Sequence, residues 1–285
     1  MGGIVLRSLV RRRVALAGAV LLAITVLTAA LAPVLAPWDP LALDVKGRLG
    51  RPAGAHWLGT DDVGRDVLSR VLYGARISVV VGGLVVLLSV VAGLAVGLLA
   101  GYYRALDNVL MRVMDGLMAF PAILLAIALM ASLGPSLRNV VVALAVVYTP
   151  RIARIVRGSV LVVRELPYVE AARAAGASDL AVLRRHVVPN CLSPVIVQAT
   201  FIFALAVLGE AALSFLGVGA PPAVPSWGNI LAEGRLYLQQ APWLVLAPGV
   251  AIMATILGLN LFGDGLRDAL DPKLRGVTGG ARSVA

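Results

Sequence analysis

The sequence predicts an all-α polytopic membrane protein with six transmembrane helices, and three observations carry that reading. Of 285 residues, 60% are hydrophobic and 14% charged, with a mean hydropathy of +0.93. A soluble domain holds roughly 45–50% apolar and about 25% charged residues. The apolar residues gather into runs that approach or exceed the ~20 residues needed to cross a hydrocarbon core as a helix. The net charge of +10 comes from arginines that flank these runs, which is the pattern of membrane topology and not of a nucleic-acid stripe. Nucleic acid is therefore not an expected partner; the lipid bilayer is. The single cysteine, Cys191, rules out an intramolecular disulfide framework.

Arg7, Arg11, Arg12 and Arg13 lead into the first apolar run, 14–36. A cleaved signal peptide, with small residues near Ala30 and Ala32, is the rival reading, but signal cores run only about 7–15 residues, so an uncleaved anchor is expected. From Trp38 to Arg76, six basic and five acidic residues nearly cancel, giving a charged, partly helical surface segment. His56 among scattered carboxylates is too thin a set to read as a metal site. The second span covers about 77–100, where Gly93, Gly97 and Gly101 put bare backbone on one face for close helix packing. Tyr102 to Asn108 is read as a short polar turn, and the third span, about 112–133, is kinked at Phe120-Pro121. The fourth, about 140–155, ends in Arg151, Arg154 and Arg157, which share a face and can snorkel to the headgroups. The fifth, about 195–218, contains Gln198 and Glu210, and the sixth, about 243–262, contains Asn260. A polar or ionisable residue inside a span is costly, so these three are candidates for a translocation path. For Glu210 the competing reading is a carboxylate near the interface, or one paired with Arg112 or with another subunit's arginine.

One polar stretch interrupts this pattern, LPYVEAARAAGASDLAVLRRHVVP over 166–189. Pro167 suits a first helical turn, Gly176 can turn left-handed to close the helix, and Ser178 can cap a second one. The first helix, through Glu170-Ala171-Ala172-Arg173-Ala174-Ala175, is almost bare of bulky side chains, so another protein can approach its backbone closely.

Glu170, Ala171 and Ala172, then Gly176 after three residues, then Pro189 thirteen further on, resemble the EAA loop of binding-protein-dependent ABC importer permeases. His186 stands where that family usually has isoleucine. His56–Arg70, and the stretch around Pro225, Trp227 and Asn229, resemble the dipeptide, oligopeptide and nickel branch, and Asp264–Arg275 resembles its C-terminal ending. The resemblance implies a type I ABC importer permease fold, closest to the C-type permease of a dipeptide system. It implies that Glu170, Ala171, Ala172, Gly176 and Pro189 couple to an ATPase, and that Pro225, Trp227 and Asn229 sit where a binding protein would dock. Its implied partners are a second homologous permease subunit, two ATPase subunits and an extracytoplasmic substrate-binding protein. The expected divisions are a cytoplasmic segment 1–13, the first span 14–36, an extracytoplasmic segment 37–76, a core 77–263 and a cytoplasmic tail 264–285. The core includes the coupling loop 166–189 and the outer loop 219–242.

With the N-terminus inside, 17 of the 25 basic residues fall on the side of the EAA segment and 8 on the other, which puts that segment and both termini in the cytoplasm, and the resemblance implies the cytoplasmic (inner) membrane of a prokaryote. The two lysines, Lys46 and Lys273, are followed by glycine and leucine, so neither completes a phosphate-cradling GxxxxGK[S/T] loop. The histidines, His56 and His186, lie outside the spans and leave no base for an intramembrane hydrolase. The chain is therefore expected to be non-catalytic and to bind no cofactor or metal; the resemblance places ATP and Mg in partner subunits. The expected function is half of a path for dipeptides or oligopeptides, working by alternating access. Nickel chelates and glutathione are alternative solutes. A self-sufficient ion-coupled transporter is the alternative from another class, and robust gradient-driven uptake by the chain alone would favour it.

Overall fold

The computed structural model describes residues 12–270. Arg7, Arg11 and the ending from Asp271 onward lie outside the described residues, so the expectations placed on them go no further. The helices are α1 (Arg13–Leu35), α2 (Val67–Tyr102), α3 (Arg104–Met118), α4 (Ala122–Leu133), α5 (Leu137–Val163), α6 (Pro167–Ala174), α7 (Asp179–Val182), α8 (Val188–Phe215), α9 (Trp227–Gly234) and α10 (Trp243–Leu270). Five of the described helical stretches are long and apolar enough to cross a membrane, and α3 with α4 makes a sixth if the bent pair counts as one span.

The seam between α2 and α5 is the centre of the bundle. Ideal Cβ atoms at Gly93 and Gly97 would lie 2.5 Å from Ile152 Cβ and 2.6 Å from Val156 Cβ. The glycine face expected from the sequence is thus what lets the two helices touch, and Ser89 Oγ adds a bond to the Ala145 carbonyl. α5 is the most enclosed of the candidate spans. Outside this seam, α1 packs along α10, where Thr25 and Thr255 hydroxyls meet at 3.2 Å and Arg12 pairs with Asp268.

Three expectations need correction. The third span is not one kinked helix, because α3 and α4 meet at 94° across Ala119–Pro121. Pro121 has no N–H to continue the ladder and sits just before α4 in extended backbone, so the chain turns a corner there. The polar turn expected over 102–108 is helical from Arg104, as the start of amphipathic α3. Its carboxylates reach α5: Asp107 takes a bidentate bond from Arg157 (2.5 and 2.7 Å) and Asp115 accepts from Arg154 at 2.7 Å. Those two arginines clamp a helix instead of standing alone among headgroups. Arg151 lies over the Tyr148 ring, 5.7 Å from its centre. Thirdly, α2 starts ten residues ahead of the expected span, at Val67, with Asp66 capping it by accepting from the Ser69 N–H at 2.7 Å.

Candidate functional site

The helix–turn–helix over 166–189 forms at one end of the bundle. Pro167 opens α6, and the chain closes it through Gly176 at φ +82°. Ala177 N–H bonds the Ala172 carbonyl and Gly176 N–H the Arg173 carbonyl, the paired bonds of a Schellman ending. Ser178 then caps α7 by accepting from Ala181 N–H at 3.4 Å. Pro189 does not end this second helix. The chain passes through one wide turn, Leu183–Val187, in which Val188 N–H bonds Leu183 five residues back, and runs on into α8. Widening the turn relieves the clash a proline ring makes with the carbonyl four residues earlier, and Pro189 becomes the second residue of α8.

Val169, Val182 and Val187 are fully buried and hold the two helices on the bundle, while Glu170, Ala171, Ala174, Ala175 and Gly176 are exposed and Ala172 half-exposed. The segment therefore presents a small-residue ridge to whatever lies beyond it. A polar bond fixes it to the end of α2, and a second ties the end of α5, just before the segment, to the same place. Tyr102 OH, at the end of α2, donates to Asp179 at 2.6 Å, with the Arg173 guanidinium 5.3 Å over its ring. Arg164 donates to the Gly101 carbonyl at 2.7 Å. His186 packs against the Tyr168 ring at 5.7 Å, so the residue at the family's usual isoleucine position fills a packing role here.

The three polar candidates for a path do not converge. Gln198 lines a cavity of about 460 Å³ between α5, α8 and α10, with Arg267 in the same wall. Glu210, twelve residues or about 18 Å further along α8, is fully buried at the opposite end. Its Oε1 accepts from Ser214 Oγ at 2.8 Å, Ser214 Oγ in turn accepts from Ala220 N–H, and Oε2 has no hydrogen-bond partner among the described residues. Among the described residues no arginine bonds it, and Arg112 sits on α3. Asn260 is half-buried on α10.

The far end of the bundle is built by 36–66 and 219–242. Trp227 and Asn229 are buried, so neither offers its side chain to a docking protein. Trp227 Nε1 donates to the Val71 carbonyl at 2.9 Å, and Asn229 Nδ2 clasps its own loop through the Pro221 and Val224 carbonyls at 2.9 and 3.0 Å. Pro225 is half-buried, and Pro222 and Ala223 are the exposed residues beside it.

Beneath them lies an ion network whose partners, up to 168 residues apart, gave no signal in the sequence. Arg70, 1% exposed, donates to Asp61 and at 2.6 Å to Glu233, while Arg65 donates to Asp61 at 2.6 Å and to Glu233 at 2.9 Å. The segment around His56 is thus not simply a charged surface; its central carboxylate, Asp61, is completely buried. Burial works against the Arg65 charge, but Glu233 and Asp61 beside it outweigh that and hold the guanidinium above its usual value. Asp61, Asp62 and Glu233 come within 4.8 Å of one another, and the two guanidiniums supply the positive charge they face. Arg70→Ala leaves buried Asp61 with Arg65 as its remaining guanidinium partner, and breaking a buried pair costs up to about 3–5 kcal/mol. The variant is expected to melt well below the parent when heated in detergent and followed by fluorescence-detected size exclusion. Arg70→Lys is expected to recover only part of that, because an ammonium lacks the planar fork that spans two carboxylates.

A bundle of crossing helices interrupted by this projecting helix–turn–helix has the fold of type I ABC importer permeases. A structure described as an inward-facing conformation of the MetNI methionine ABC transporter superposes with a TM-score of 0.59 at 22% identity, covering 72% of this chain and 97% of that one. The chain belongs to the family described as the binding-protein-dependent transport system inner membrane component, which matches residues 89–276, and its start, 1–50, matches the N-terminal transmembrane domain of oligopeptide transport permease C. It is therefore an ABC importer permease subunit, a multi-pass protein of the inner membrane. Among its relatives, a Brucella suis biovar 1 protein described provisionally as a peptide transport system permease is 54% identical over 94% of this chain and 91% of its own length. A dipeptide transport system permease protein from Alkalihalophilus pseudofirmus is 44% identical over 94% of this chain and 89% of its own. A glutathione transport system permease protein from Pectobacterium atrosepticum is also 44% identical, over 94% and 90%.

Proposed function

We propose that this chain forms half of the path by which a dipeptide or short oligopeptide enters the cell, driven by ATP hydrolysed elsewhere in the assembly. The observation that carries the reading is the exposed alanine ridge of α6, Glu170-Ala171-Ala172, closed by left-handed Gly176, in a chain whose relatives of 44–54% identity include several described as peptide and dipeptide permeases. The ridge docks on an ATPase subunit, with Pro189 setting the wide turn that aims α7 and α8 behind it. A second homologous permease completes the path, two ATPase subunits bind ATP with Mg, and a binding protein delivers solute at the α9 end. This chain contributes no catalytic group and holds no cofactor. The basic residues that the sequence count assigns to the α6 side of the membrane, 17 of 25, support a cytoplasmic orientation for that side and both termini. Gln198 in its cavity is the best placed of the polar candidates to meet solute, and Asn260 ranks behind it. Glu210, sealed under the outer loop, meets solute only if that loop lifts.

The test is a crosslink. Ala172→Cys in the assembled transporter is expected to join an ATPase subunit through a short bifunctional reagent, and failure to reach any ATPase would sink the docking role. Uptake by the reconstituted complex then separates solutes: labelled dipeptide is expected to accumulate with ATP and binding protein present, and accumulation of glutathione or a nickel chelate alone would overturn the peptide assignment.

A further inference from the structure

We propose that α2 is the rod that carries displacement between the α6 segment and the far end of the bundle, with Tyr102 as the positioning residue at its input. This rests on the reading of α6 as the ATPase-docking helix. The helix runs unbroken for 36 residues, about 54 Å at 1.5 Å per residue. α1, α5, α8 and α10 each contain an internal proline (Pro33, Pro150, Pro194 and Pro248), and α2 contains none. Lacking proline, the helix lacks one common point of bending, and across the Gly82-Gly83 pair, another such point, the helix continues without a break.

Both ends of the rod are gripped. At the input, Tyr102 OH bonds Asp179, Arg173 lies over its ring, and Arg164 bonds the Gly101 carbonyl. The three partners come from before, within and after the alanine ridge, so a push on that ridge from any direction reaches the last turn of α2. At the output, Arg70 is locked to Asp61 and Glu233, and Trp227 bonds the Val71 carbonyl. Trp227 also leaves no room at Gly74, where a Cβ would lie 2.5 Å from its Cδ1. Between the ends, the glycine seam seats α2 on α5 without slack, so the pair moves as one body. Close-packed interiors respond to such a push by shifting as units instead of deforming.

The test uses the full transporter in nanodiscs with its binding protein, reading ATPase co-purification, basal hydrolysis and binding-protein-stimulated hydrolysis. Tyr102→Phe keeps the ring beneath Arg173 and removes only the bond to Asp179. It is expected to retain the ATPase and the basal rate while stimulation falls about fivefold, the lower end of ordinary coupling between sites. Asp179→Asn is expected to behave alike, and the double variant no worse than either single, because both act on one interaction. Trp227→Phe, at the other end of the rod, is expected to lower stimulation in the same way without touching the α6 segment. Full stimulation in Tyr102→Phe, or loss of the ATPase from that variant, would overturn the proposal, the latter because Tyr102 would then belong to docking. Failure of the docking reading shows separately, as an Ala172→Cys transporter with Tyr102 and Asp179 intact that never crosslinks to an ATPase.

Discussion

Gly97→Leu is expected to yield almost no folded protein, and Gly97→Ala to lose about 3 kcal/mol of stability, at the upper end of ordinary overpacking penalties. The reason is local and steric. A Cβ at Gly97 would lie 2.6 Å from both the Ala153 carbonyl oxygen and Val156 Cβ, and neither belongs to a flexible side-chain end that can swing away. The helices would have to part, and parting them also loosens the contacts at Gly93 and Gly101 on either side. In a bilayer, no water-driven burial stands in reserve to offset this, since helix association there rests largely on the packing itself. Gly83 supplies the control within the same helix, as nothing lies within 4 Å of its Cβ position. Gly83→Ala is expected to be neutral or stabilising by up to ~1 kcal/mol, the ordinary helical preference for alanine. Thermal unfolding of the two alanine variants, side by side in one detergent, decides the matter. Equal midpoints would show that the seam is not what sets the bundle.

The same seam shows what a reader of the sequence can and cannot recover. Gly93, Gly97 and Gly101 recur every four residues, which is a helical face whatever the partner, so close packing was legible while the partner, α5, was not. Span cores were legible because hydrocarbon demands a long apolar run. Span ends were not, because α2, α5 and α10 continue as helices into polar sequence once Arg70, Arg157 and their neighbours find acidic or main-chain partners. Pro121 announced a bend but not its size, since a proline allows anything from a slight kink to the 94° corner found here. Pro189 was legible as a motif position, but not the widened turn over Leu183–Val187 that precedes it. The Arg70–Asp61–Glu233 network was invisible for a different reason, as Arg70 and Glu233 stand 163 residues apart in the chain. The α6 segment was the most readable part of the chain. Its instructions are all local: a proline to start, a glycine to close, a serine to cap.

That locality makes Gly176 the most sensitive point of the candidate site. Gly176→Val is expected to cut ATP-driven uptake at least tenfold while leaving the thermal stability of the spans close to the parent's. Size is not the obstacle, since nothing lies within 4 Å of a Cβ there; the obstacle is φ +82°, a region that L side chains enter at a cost of roughly 1–2 kcal/mol and β-branched ones at more. The turn would relax toward negative φ, breaking the two bonds from Gly176 and Ala177 back to α6 and swinging the alanine ridge away from its present aim. On the proposed docking of the ridge to an ATPase, an error of a few ångströms is enough to separate hydrolysis from movement, because the partner would have to hold the ridge in every state of the cycle. Gly176→Asn distinguishes this account from a general intolerance of side chains, because asparagine accepts left-handed backbone far better than valine and is expected to keep most of the uptake. Uptake lost equally in both variants would mean that the ridge needs a bare surface at 176 and not a left-handed turn. Uptake intact in Gly176→Val would remove the turn from the mechanism altogether.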